Sequence, residues 1–81
     1  DNVIPGDHGR IFGTNAKDQD DLMRIQRAVM EIPGIKDVLL DETVYPREFT
    51  VHTTKPIAVT DIEHAVQRYK FHAIPKEMFP L

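Results

Sequence analysis

The sequence predicts an α+β fold in which two helices pack on one face of a four-stranded antiparallel sheet, in the order βαββαβ. Two segments carry apolar residues at helical spacing, and four segments have the alternating or β-branched and aromatic composition of strands. The 81 residues are 41% hydrophobic and 28% charged, which is typical of a folded chain with a single core. We expect one domain over residues 10–75, between a flexible tail at residues 1–9 and a second tail at residues 76–81.

The first helix is predicted to begin after Asp18 and to end before Pro33-Gly34. Asp18 suits the N-cap position, and Asp20 and Asp21 place negative charge in the first turn, where the helix dipole favours it. Apolar residues then recur at helical spacing: Leu22, Ile25, Val29 and Ile32. A proline disfavours helix in the residue before it, and the glycine accepts the turn that comes next.

The second helix is predicted from the sequence Thr60-Asp61-Ile62-Glu63. This is a capping box, in which the Thr60 hydroxyl accepts from a first-turn amide and Glu63 reaches back to the Thr60 amide. The apolar residues after it again share one helical face: Ile62, Ala65, Val66 and Tyr69.

Four segments are predicted to be strands, at residues 10–16, 35–40, 48–53 and 71–74. In the second, Val38 and Leu40 share one face. In the third, Phe49, Val51 and Thr53 alternate with polar residues, which is the period of a strand with one buried face.

The second and third strands are expected to form a hairpin around Asp41-Glu42. Its connection has no Asn-Gly or Asp-Gly pair, so its turn type stays open. The complete order βαββαβ is the ferredoxin-like arrangement, which leaves one face and two edges of the sheet exposed.

Composition excludes several functions. The chain has no cysteine and no serine, so a disulfide, a thiolate metal site and the commonest nucleophiles are absent, and we expect no enzyme activity. Ten basic against 13 acidic residues give a net charge of -3, which provides no electrostatic attraction for nucleic acid or anionic membranes. The first residues lack the pattern of a signal peptide, and a cytoplasmic location is expected.

Several apolar positions match a known pattern: Ile32-Pro33-Gly34-Ile35 after the first helix, Val38 and Leu40, Phe49 and Val51, and Ile62, Ala65 and Val66 with Phe71. With this spacing and element order, residues 10–74 resemble a heavy-metal-associated domain, the module of copper chaperones and metal-pumping ATPases. The resemblance implies the ferredoxin-like fold and a metal loop between the first strand and the first helix.

That metal loop is degenerate. The family has Met-x-Cys-x-x-Cys, and the corresponding residues 16–21 place Asp18 and Asp21 at the two cysteine positions. Aspartate oxygens are hard donors, so binding of soft ions such as Cu(I) and any other cofactor is not expected. The Thr14-Asn15 pair is similar to a subgroup that includes members without the cysteines. The resemblance also places Phe71 beside the loop, and the degenerate site therefore comprises Asn15, Asp18, Asp21 and Phe71.

Two functions remain open at this point, and an enzyme stays an alternative only if oligomerisation assembles a cleft that one chain does not have. The first is a non-enzymatic protein-interaction or regulatory module, which binds a protein partner or itself through the open sheet face or an edge. The alternative is a domain that binds or transports a metal ion or a small ligand through carboxylates and histidines. The four histidines lie on different predicted elements without metal-ligand spacing: His8, His52, His64 and His72.

Overall fold

The computed structural model of the chain describes residues 2–6 and 9–76. Within these residues it contains two helices and six strands: β1 (Asn2–Val3), β2 (Arg10–Thr14), α1 (Gln19–Met30), β3 (Ile35–Asp41), β4 (Arg47–Thr53), β5 (Ile57–Ala58), α2 (Val59–Gln67) and β6 (Ala73–Pro75). The α+β class is confirmed. The strands form two antiparallel sheets instead of the one predicted, a four-stranded sheet in the order β3-β4-β2-β6 and a two-stranded sheet of β1 and β5.

The core lies between one face of the four-stranded sheet and the two helices. Phe49, Val51 and Thr53 of β4 are buried, as their alternation predicts. Phe12 of β2 lies directly opposite Phe49, and their rings stack with centroids 5.3 Å apart at 11°. Buried residues of both helices join the same cluster: Leu22, Ile25 and Val29 of α1, and Val59, Ile62 and Val66 of α2.

The opposite face of the four-stranded sheet carries the side chains that alternate with these core residues, and we call it the open face. It contains Ile11, Gly13, Leu39, Glu48, Thr50, His52 and Ile74. Leu39 and Ile74, which lie on the two edge strands, are 55% and 48% exposed. The predicted hairpin is confirmed, because β3 pairs with β4 along its length.

The start and end of α1 agree with the prediction. Asp18 has extended backbone angles, and its Oδ1 accepts a hydrogen bond of 2.9 Å from the backbone N–H of Asp21. The helix ends at Met30, and Gly34 comes soon after with a φ of 99°, a conformation that glycine adopts without steric cost.

The start of α2 differs from the prediction. The helix begins at Val59 after Ala58, and no side chain caps it, so Thr60 is its second residue and the capping box is not formed. Ile57 and Val59 on either side of Ala58 are both buried. Packing of these two residues against the core sets the start of the helix, and it overrides the local capping signal.

The first residues were predicted to be a flexible tail, and this requires a correction. Val3 is only 1% exposed and belongs to the core cluster. β1 pairs with β5 through Val3 and Ile57, and Arg10 Nη1 donates to the carbonyl of Asn2 over 3.2 Å. A two-residue strand carries no periodicity, which is why the sequence pattern does not reveal it.

At the other end, the last strand begins at Ala73 and includes Pro75, whereas residues 71–74 were predicted. The first residue of the predicted second tail, Lys76, places its Nζ 3.2 Å from Glu48 Oε2 on the open face. The rest of that tail, residues 77–81, lies outside the described residues.

The role of Val3 can be tested with two alanine variants. Val3→Ala removes two buried carbon atoms, and we expect it to lower the free energy of unfolding by about 1.5 kcal/mol. Ile4→Ala is the matched control, because Ile4 is 67% exposed and should change stability by less than about 0.5 kcal/mol. Chemical denaturation measures both, and equal effects would contradict a core role for Val3.

A second pair of variants tests the cap of α1. Asp18→Ala removes the hydrogen bond to the Asp21 N–H, with an expected loss of about 1 kcal/mol. Asp20→Ala removes a charge from the same turn without removing the cap. Only the interaction with the helix dipole is lost, so the free energy of unfolding should fall by about 0.3 kcal/mol at low salt. Thermal and urea unfolding in high salt distinguish the two variants. Salt screens the charge of Asp20, so the loss of stability in Asp20→Ala should disappear, whereas most of the loss in Asp18→Ala should remain.

Candidate functional site

Three segments meet at one end of the four-stranded sheet: the residues after β2, the turn between β3 and β4, and the residues around the start of β6. Together they line a groove of about 370 Å³, formed by residues 13–17, Tyr45, Pro46, His72 and Ile74. The segments are distant in the sequence, and the antiparallel order of the strands brings them together.

The floor of the groove is Gly13. Its neighbour Phe12 points into the core, so alternation along β2 places Gly13 on the open face. In the sheet Gly13 lies opposite Glu48 on one side and Ile74 on the other. Gly13 has no side chain and is itself buried between these two neighbours, so it forms the base of the groove.

The walls of the groove are mainly apolar. Tyr45 is 89% exposed and Ile74 is 48% exposed, and Pro46 extends the wall on the side of the turn. An exposed aromatic ring beside a concave surface is typical of a binding site, whereas a single exposed apolar residue on a flat surface is ordinary.

Asn15 holds two of the three segments together. Its Oδ1 accepts a hydrogen bond of 2.8 Å from the backbone N–H of His72. The preceding residue adds a local contact, since Thr14 Oγ1 accepts from the Ala16 N–H over 3.3 Å. Phe71 is partly buried and packs against the core cluster. Asn15 and Phe71 thus fix the shape of this end of the sheet.

Asp18 and Asp21, the two positions where the resemblance implies metal ligands, have other partners. Asp18 caps α1, and Asp21 Oδ1 lies 3.7 Å from Arg24 Nη1. Neither residue lines the groove. Of the four predicted site residues, the structure therefore places Asn15 in the groove, Phe71 against the core cluster, Asp18 at the N-cap of α1 and Asp21 in its first turn.

The histidines are also dispersed. His52 Nδ1 lies 2.6 Å from Asp37 Oδ1 on the open face, His64 is exposed on α2, and His8 lies outside the described residues. Among residues 2–6 and 9–76, no group of three or more histidine, cysteine, aspartate or glutamate side chains is arranged to hold a metal ion.

The turn that carries Tyr45 is organised by Asp41. Its Oδ1 accepts from the Thr43 hydroxyl over 2.6 Å and from the Thr43 N–H over 2.9 Å. These two hydrogen bonds lower the pKa of the Asp41 carboxyl below its usual value of 3.8, with a further lowering from the positive charge of Lys76. Arg47 Nη1 closes the turn by donating to the Val44 carbonyl over 2.7 Å.

The sequence does not single out most of the groove, because the family resemblance indicates only the loop before α1. Lys17, Tyr45, His72 and Ile74 come from three separate segments, and only the tertiary structure shows that they share a surface. One signal in the sequence is the Tyr45-Pro46 pair, which indicates a turn at the surface.

In comparisons with protein-family models, with curated proteins and with solved structures, nothing matches this chain. Within the described part of the chain, neither helix has the length and apolar character needed to cross a membrane.

The Asp41 turn gives a pH prediction. Because the folded-state pKa lies below the unfolded value, ionised Asp41 contributes stability above about pH 4, and this contribution is lost as the pH falls through the folded pKa. Thr43→Val removes the largest cause of the shift, so the pKa of Asp41 should rise toward 3.8 and the loss of stability in acid should become smaller. NMR titration of the Asp41 carboxyl carbon measures the pKa directly.

Thr54→Val is the matched control for this variant. The Thr54 hydroxyl donates to the Gly34 carbonyl over 3.2 Å and does not contact Asp41. It should leave the pKa of Asp41 unchanged. An unchanged pKa of Asp41 in Thr43→Val would contradict the role of the Thr43 hydroxyl.

Proposed function

We propose that this chain is a non-enzymatic protein-interaction module, and that the groove is where its partner binds. The observation that carries the proposal is the groove itself, a concave surface with a glycine floor and the exposed apolar walls Tyr45 and Ile74. It lies at the end of the sheet where the resemblance to heavy-metal-associated domains implies a metal loop.

The proposal includes a ferredoxin-like, heavy-metal-associated-like architecture. Its support is the order β3-β4-β2-β6 in the four-stranded sheet together with the order of helices between those strands. In this arrangement β1 and β5 are an addition that covers part of the core beside α2. Cytoplasmic location stays a prediction from the sequence.

A binding role without catalysis is favoured by the chemistry of the lining. The titratable side chains that line the groove are Lys17, Tyr45 and His72, and no hydrogen bond joins any two of them within the described residues. Nucleophilic catalysis needs a nucleophile held by a general base, usually within about 3 Å. Apolar walls with few polar groups are instead typical of a surface that receives a side chain of another molecule.

A distinct protein is the expected partner, in preference to a second copy of this chain. A two-fold symmetric dimer requires a self-complementary patch on each copy. A second copy would have to fill the groove with a side chain that protrudes from the same patch, and Tyr45, the most exposed apolar side chain there, is itself a wall of the groove. A protruding side chain from another protein fills the space above Gly13 and contacts Tyr45 and Ile74 together.

Site-specific photo-crosslinking in the cells that produce the protein tests this function. A photoreactive phenylalanine analogue at position 45 should give a covalent adduct of defined mass, identified by mass spectrometry. The same analogue at Thr60, which is exposed at the start of α2, should not give that adduct. Absence of an adduct at position 45 would refute the proposed binding site.

Two groove variants and one control make the crosslink specific. Gly13 has no positive φ, so Gly13→Val can adopt the strand conformation, and its side chain fills the floor. We expect this variant to reduce the adduct to the background level, and Ile74→Ala, which removes a wall, to weaken it. Thr50→Val, on the same open face outside the groove lining, should leave it unchanged. An adduct that joins two copies of this chain would overturn the proposal of a distinct partner.

A further inference from the structure

The polar side chains that line the groove include several hydrogen-bond donors. Lys17 supplies an ammonium group and His72 an imidazole. The Asn15 amide oxygen is already occupied, because it accepts from the His72 N–H over 2.8 Å. Its Nδ2, with two N–H donors, is the end of that amide left for a ligand.

Among residues 2–6 and 9–76, no aspartate or glutamate lines the groove, although acidic residues outnumber basic ones by 13 to 10 in this chain. Three of the acids that are near in sequence or register have partners of their own. Asp18 caps α1, Asp41 accepts from Thr43, and Glu48 Oε2 is 3.2 Å from Lys76 Nζ. The few polar side chains that the described residues bring to this mainly apolar groove therefore include one ammonium group and no carboxylate.

We propose that the groove recognises the free C-terminal residue of the partner polypeptide, an inference that rests on the proposed function. The terminal carboxylate is bound by Lys17 and the Asn15 amide, and an apolar terminal side chain lies over Gly13 between Tyr45 and Ile74. Charge-assisted hydrogen bonds to a carboxylate are roughly twice as strong as neutral ones, so this end group supplies both affinity and orientation.

Charge selects a chain terminus over an internal segment. An internal segment is neutral at its backbone and offers a carboxylate only through an aspartate or glutamate side chain. Such a residue cannot also supply the apolar side chain that the walls fit, whereas a terminal leucine or phenylalanine carries both groups. The exposure of the groove to solvent favours a polypeptide over a free small carboxylate as the ligand. With Tyr45 89% and Ile74 48% exposed, the groove covers too little of a small molecule, whose typical pockets bury about 70–90% of its surface. The residues before a C terminus can add contacts along the open face.

Fluorescence polarisation with defined peptides tests the inference. The probes are fluorescein-labelled hexapeptides of one sequence that end in leucine, phenylalanine or glutamate, each as the free acid and as the C-terminal amide. The leucine and phenylalanine acids should bind the full chain about tenfold more tightly than their amides, the effect of one charge-assisted contact. The acid ending in glutamate should bind more weakly than these two, because its side chain does not fit the apolar walls.

Variants assign the preference to the groove. Lys17→Met, at an exposed position, should bring the ratio of acid to amide affinity close to one. Lys36→Met is the matched control, because Lys36 is an exposed lysine on β3 that does not line the groove. It should keep the ratio of about tenfold that one charge-assisted contact gives. Gly13→Val should abolish binding of acids and amides alike.

The outcomes separate this inference from the proposed function. Equal binding of acids and amides, or an unchanged ratio in Lys17→Met, overturns recognition of the C terminus. The inference also fails if none of the peptides binds. In all three outcomes the proposed function still stands, provided that Gly13→Val abolishes the crosslink at position 45. N-acetyl-leucine that displaces the leucine peptide with equal affinity would overturn the inference in favour of a small carboxylate. Absence of the crosslink itself would remove the proposed function.

Discussion

The stacked pair Phe12 and Phe49 is the contact on which the sheet and its groove depend. The two rings lie directly opposite each other on β2 and β4 and are fully buried. A slip of either strand by one residue would turn its phenylalanine onto the open face, so the pair fixes the register of the two central strands. The same register puts Gly13 on the open face between Glu48 and Ile74. The floor of the groove is thus a consequence of how the core is packed.

Local signals in the sequence predict much of the four-stranded sheet and α1. The alternation at Phe49, Val51 and Thr53 depends only on which face is buried, and the Asp18 cap depends on residues three positions apart. The prediction of a capping box at Thr60 was wrong, because burial of Ile57 and Val59 sets the start of α2. The contact of Val3 with β5 joins residues far apart in the sequence, and no local pattern contains that information.

The candidate site was harder to predict for the same reason. A family resemblance indicates which loop to inspect, and Asn15 does lie in the groove. The resemblance does not indicate that the oxygens of Asp18 and Asp21 contact a backbone N–H and Arg24 respectively. Nor does it indicate that Tyr45 lies on the same surface as Asn15. The hydrogen bond from the His72 N–H to Asn15 explains the asparagine as a tie between two loops. Such a tie is visible only when both loops are placed.

The size of the apolar surface limits how tightly the groove alone can bind. Burying one large apolar side chain contributes about 1.5–3 kcal/mol, so Tyr45 and Ile74 together supply roughly 3–6 kcal/mol. A micromolar complex requires about 8 kcal/mol after the loss of translational and rotational freedom has been offset. Ties such as Asn15 to His72 and the Asp41 turn lower the ordering cost, because both walls are held before binding. Tighter binding requires contacts that extend across the open face toward Leu39, which is 55% exposed on the far edge strand.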